Sequence, residues 1–202
     1  MKMKITVLGI CLCFIAVPSF GQITGSAHDF SASGWTTEIC AACHTPHNAD
    51  TTVADSPLWN HEVTAATFTV YSNPRLDAVV GQPDGVSKLC LSCHDGTVAL
   101  DSFGGATGTN FLTSTDPGYV GIDLGNDHPI SFTYDAALFS ADGGLFDPAT
   151  VPSGLGGTIN DDLLIGGKLE CSSCHDVHNA GFSSLLVKSN TGSDLCMTCH
   201  DK

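Results

Sequence analysis

The sequence predicts a mostly irregular, loop-rich fold with short helices and a few short strands. Three observations predict it. Glycine occurs 22 times and proline nine times in 202 residues, so turn-forming residues interrupt most apolar runs. Few segments outside the N-terminus carry the apolar periodicity of a long helix. The pentapeptide Cys-x-x-Cys-His occurs four times, at Cys40–His44, Cys90–His94, Cys171–His175 and Cys196–His200. A chain so poor in regular structure needs staples, and these four motifs would supply them.

The first element is a leader over residues 1–21. Lys2 and Lys4 form a basic start, Ile5 to Val17 an apolar run, and Ser19-Phe20-Gly21 a small-residue cleavage site. That pattern predicts an export signal peptide rather than a membrane span. A lipid-anchoring site at Cys11 fits less well, because apolar sequence continues past it. The expected protein is therefore exported, to the periplasm, the extracellular space or the cell surface. One domain is expected over 22–202, with pseudo-repeat halves at about 22–100 and 165–202.

The motifs define the chemistry. Cys-x-x-Cys-His is the attachment signature of c-type haem. Two thiols add to the vinyl groups on one porphyrin edge, and the adjacent histidine reaches the iron from the face the peptide covers. Zinc ribbons also use paired cysteines, but zinc does not require a histidine after each pair. Disulfides and redox Cys-x-x-Cys pairs are disfavoured for the same reason. The cysteine count closes on this reading. Ten cysteines less Cys11 and Cys13 of the leader leave eight, and four haems use eight. Cys40, Cys43, Cys90, Cys93, Cys171, Cys174, Cys196 and Cys199 are the expected thioether sites. His44, His94, His175 and His200 are the expected proximal iron ligands.

The chain repeats itself. CAACHTPHNAD at 40–50 aligns with CSSCHDVHNAG at 171–181, and KLCLSCHDG at 88–96 with DLCMTCHDK at 194–202. An insertion containing PLWNHEVTAATFTVY separates the first two motifs, and Ala66–Tyr71 within it reads as a strand. Between the halves, 100–168 reads mostly as loop. It includes an expected strand over Pro129–Tyr134 and a helix over Asp135–Ala141 ended by Gly143-Gly144. Each Cys-x-x-Cys-His segment is expected to form about one helical turn, the last capped by Ser193 or Asp194.

The sixth iron position separates carriers from enzymes. Met1 and Met3 leave with the leader, and Met197 lies between the cysteines of its own motif, so methionine is excluded. Five histidines remain as distal candidates for four sites: His28, His47, His61, His128 and His178. His47 and His178 each follow a proximal histidine by three residues. They are held on the proximal side of that porphyrin and must serve a different haem. For His178 the haem at Cys196 and Cys199 is the simplest partner. Bis-His saturation leaves no open iron, which favours electron transfer over catalysis.

Charge narrows the partners. The formal charge of −14 becomes −16 once Lys2 and Lys4 are removed. Nucleic acid and anionic membrane surfaces are unlikely partners for such a chain.

These motifs resemble the doubled-CXXCH multihaem cytochromes. Four haems, a small exported chain and a loop-rich character resemble the OmcE-type tetrahaem filament cytochromes in particular. That resemblance implies four haem c in one continuous bis-His chain, copies assembled head-to-tail into an extracellular nanowire, and one distal histidine donated in trans, by His28 or His47. It also implies other cytochromes as electron donors, and extracellular metal oxides or partner cells as acceptors. A soluble monomeric periplasmic shuttle and a nitrite- or hydroxylamine-converting haem enzyme are the alternatives.

Overall fold

The computed structural model describes residues 22–179 and 181–201; the expected leader, 1–21, lies outside them. The chain is loop-rich, as expected. Its helices are α1 (Gly85–His94), α2 (Ala136–Asp142), α3 (Ile159–Leu163) and α4 (Cys196–Cys199). Its strands are β1 (Phe132–Thr133) and β2 (Lys168–Leu169). They pair antiparallel, Phe132 opposite Leu169 and Thr133 opposite Lys168. No helix among the described residues is long and apolar enough to cross a membrane.

α1 is the hub, and it is longer than the single turn expected of its motif. Leu89 packs with Val53 and Trp59, while Leu91 packs with Phe68 and Leu124. With apolar contacts on two sides, the helix buries its serines as well. Ser92 Oγ accepts the Thr64 amide and donates to the Lys88 carbonyl. Ser87 Oγ accepts the Cys171 amide. The N-terminus of α1 takes no side-chain cap from Asp84. Instead the Ser87 amide donates to Oε2 of Glu170, 83 residues away in sequence, which supplies one of the acceptors a helix start requires.

The segment 100–168 does more than connect. It furnishes Phe132, Tyr134, Leu138, Ile159, Leu163 and Leu164 of the largest apolar cluster, which Leu169 completes. Tyr134 places its hydroxyl on the Phe146 carbonyl at 2.6 Å, so its buried polar tip is satisfied. α2 starts where Asp135 Oδ1 accepts the amides of Ala137 and Leu138, and stops where Gly143 turns left-handed at φ 67°. α3, which was not expected, opens with a Thr158–Asp161 capping box.

Three local expectations need correction. The strand over Pro129–Tyr134 shrinks to Phe132–Thr133, because only two residues find a partner in β2. Ala66–Tyr71 forms no strand: Thr69 alone makes a parallel bridge, to Asp123. Neither Ser193 nor Asp194 caps α4, whose first turn is preceded by Leu195 with no side-chain cap bond.

Candidate functional site

Three of the four motif histidines are aimed by a backbone carbonyl. Nδ1 of His44 donates to the Pro57 carbonyl at 2.6 Å, Nδ1 of His94 to Gly118 at 2.6 Å, and Nδ1 of His175 to Ser184 at 2.8 Å. A neutral imidazole has one donor nitrogen, so these bonds assign the proton to Nδ1 and leave the Nε2 lone pair for a metal. Orienting a ligand histidine in this way raises its basicity and holds the ring plane.

Three motifs share one backbone cradle. In the first, the Thr45 amide donates to the Leu58 carbonyl and the Asn60 amide to the Cys43 carbonyl. In the third, Asp176 donates to Leu185 and Val187 to Cys174. In the fourth, Asp201 donates to Gly144 and Phe146 to Cys199. Each set closes an antiparallel bridge on or beside the proximal histidine: His44 with Trp59, His175 with Leu186, His200 with Leu145. Leu58 and Leu185 sit at φ 55° and 56°, a left-handed conformation rarely adopted by side-chain-bearing residues. The second motif differs. It ends α1, and its His94 carbonyl accepts the amides of Val120 and Gly121.

The candidate distal histidines divide sharply. His178 faces His44 with ring centroids 6.0 Å apart and planes at 20°. His28 faces His94 at 5.9 Å, and His128 faces His200 at 6.2 Å. Two imidazoles on one metal, with bonds of about 2 Å each and about 1.1 Å from ligand nitrogen to centroid, place their centroids about 6 Å apart. All three gaps fit an iron between the rings. His28 also has a buried Nδ1 with no hydrogen-bond partner. Burial, followed by the nearby His94 and His178, lowers the pKa of His28, which favours the neutral, ligating form.

Two sequence assignments change here. His178 was expected opposite the fourth motif and stands instead opposite the first, because His128 occupies the face opposite His200. His28, one of the two candidates for donation in trans, is instead half-buried against His94 of its own chain.

His61 pairs with no motif histidine. It is buried, its Nδ1 lies 2.8 Å from the Glu62 carbonyl and its Nε2 2.9 Å from the Ala99 carbonyl, so neither nitrogen is free. Its ring lies 3.5 Å from the Cys93 sulfur. His47 is exposed at the rim of a crevice of about 820 Å³ that also contains Trp59 and His61. Among the described residues its ring has no partner, and no second imidazole faces His175.

The attachment cysteines neighbour one another in motif order. Cys43 interacts electrostatically with Cys93, Cys90 with Cys171, and Cys174 with Cys196. Burial pushes the free thiols up, Cys43 and Cys199 to about 11 and Cys93 to about 12. Cys171 is the exception, lowered chiefly by its interaction with Cys90. Among the described residues no three His, Cys, Asp or Glu side chains converge as a metal cage.

A family model described as a doubled CXXCH motif matches residues 165–202, the stretch that holds the third and fourth motifs. No curated protein matches the chain. The motifs indicate covalently bound haem c, and the doubled arrangement is consistent with a multihaem c-type cytochrome and with electron transfer.

Proposed function

We propose that the protein is an exported tetrahaem c-type cytochrome that polymerises into an extracellular conducting filament. One observation carries this reading. Three proximal histidines face a second imidazole within the chain, whereas His175 faces none and His47 is exposed and unpartnered. His47 of one copy then supplies the sixth ligand to the haem on Cys171 and Cys174 of the next. Such a contact joins different surfaces on the two copies, and without rotational closure it builds a fibre. Haem iron supplies the one-electron site. The protein's residues aim the imidazoles through backbone carbonyls, keep His28 neutral, and bring the attachment edges of successive motifs together. Other cytochromes are the donors, and extracellular metal oxides or partner cells the acceptors. The leader pattern of residues 1–21 supports export.

The test is electron microscopy and absorption spectroscopy of the secreted holoprotein, with a reduced-haem assay. Four haems per chain, fibres, and low-spin iron are expected. His47→Ala should abolish the fibres and leave one haem in four high-spin. Unaltered fibres in that variant would sink the trans assignment, and single particles of wild-type protein would favour the soluble shuttle.

The same open face at His175 favours a second reading, a haem enzyme of the nitrite or hydroxylamine class. There the exchangeable position binds substrate. An immediate spectral shift of the intact protein on adding cyanide or nitrite would support it.

A further inference from the structure

Glu170 is a buried carboxylate with no cation on it. It is 2% exposed, and its Oε2 accepts only neutral donors, the Ser87 amide at 3.2 Å and the Ser131 hydroxyl at 2.9 Å. The nearest lysine, Lys168, commits its ammonium to Asp84. Carboxylates are seldom fully buried without a charged partner.

Its position links two haem sites. It directly precedes Cys171 of the third motif. It also caps α1, the helix that ends in the second motif. The thiols of those motifs, Cys90 and Cys171, are electrostatic neighbours, and the Ser87 hydroxyl of α1 accepts the Cys171 amide. Every nearby titratable group has its own place. Asp84 lies beside it on the α1 side and raises its pKa, Lys168 lies on β2, and Cys171 adjoins it. α3 packs on the same 171–173 turn, but Asp161 and Asp162 there are held by Thr158 and by Ser153 and Gly157.

Solvent lies close to this carboxylate. Ser131 Oγ donates to Glu170 and accepts the Asp84 amide at 3.2 Å. The Asp84 side chain beyond it is 52% exposed. Ser131 holds this bridge at φ 57°, and a serine kept in that left-handed region is strain retained at a working position.

We propose that Glu170 is the proton-binding site coupled to reduction of the haems on the second and third motifs. One electron from an external one-electron donor converts a ferric haem to ferrous. One proton from water converts the Glu170 carboxylate to the acid. The added electron and the carboxylate repel each other across the low-dielectric core, so reduction favours protonation. Burial already raises the carboxyl above its ordinary value. Between the oxidised-state and reduced-state pKa values, reduction takes up a proton, and the midpoint potential falls as pH rises. A tenfold drop in proton activity then shifts a one-electron couple by up to about 59 mV.

The inference rests on the haem c reading, and its test separates the two. The holoprotein is titrated spectroelectrochemically across pH, following the haem absorption. Wild type should show a pH-dependent segment above the ordinary carboxylate range. It should also gain an infrared carboxylic-acid carbonyl band on reduction. Glu170→Gln should lose both, and any slope that survives belongs to the haem propionates. Ser131→Ala, which keeps the carboxyl and removes a donor to its charged form, should move the segment to higher pH. An identical slope and band in Glu170→Gln, or an unmoved segment in Ser131→Ala, would overturn the assignment. Wild-type protein with no haem absorption would overturn the haem reading, and this one with it.

Discussion

The twin stretches at 40–50 and 171–181 are nearly the same words used in different ways. Both place a proximal histidine in the same cradle, with matching amide-to-carbonyl bonds and a leucine at φ near 55°. Yet His178 crosses the molecule to face His44, whereas His47 is exposed. The motif's own residues and the return strand are enough to build the cradle. The partner of the second histidine is decided by what the rest of the chain brings opposite it. The repeat therefore encodes a socket twice and a joint once within one copy.

The largest expected effect breaks this comparison directly. If the protein is the proposed tetrahaem filament, His178→Ala should leave the haem at His44 without its sixth ligand in every copy, so one further haem in four turns high-spin at any protein concentration. In monomers prepared by dilution, His47→Ala should change nothing relative to wild type. Its high-spin signal should appear only as a failure to convert on assembly. Equal spectra for the two variants in dilute monomer would show that the twins are used alike.

The contrast also marks what sequence can disclose. The four motifs, the loop-rich character, and α2 with its Asp135 cap and Gly143 stop follow from residues within a few positions of each other. The misses are non-local. α1 outgrows one turn because Glu170 caps it from 83 residues away and because Leu89 and Leu91 bury into separate clusters. The segment 100–168 looked like a linker since its apolar residues are thinly spread, and they meet only after folding. Which of the five candidate histidines is spare was not legible either, because only the fold brings two backbone carbonyls against the nitrogens of His61.

A second, smaller effect tests whether α1 clamps the third motif through a side-chain hydrogen bond. Ser87 is fully buried and its hydroxyl receives the Cys171 amide at 2.9 Å. Ser87→Ala strands that amide away from water, a loss of about 1–3 kcal/mol. Denaturant unfolding of the holoprotein should register it as a lower midpoint with an unchanged slope. A change below about 0.5 kcal/mol would mean that the two motifs are held independently.

The smallest effect asks whether the cradle is one device in both twins. Leu58 and Leu185 each give their carbonyl to the residue after a proximal histidine, at 2.9 and 2.7 Å. Their left-handed φ turns the preceding carbonyl, of Pro57 or Ser184, towards Nδ1 of that histidine. A β-branched side chain tolerates this region worse than leucine does. Leu58→Val and Leu185→Val should therefore each destabilise by about 1 kcal/mol, read as similar falls in melting temperature. Leu58 is the more exposed of the two, so lost packing contributes less there and its fall isolates the backbone. If only Leu185→Val destabilises, packing rather than backbone strain orients His175, and the likeness of the two cradles ends at their hydrogen bonds.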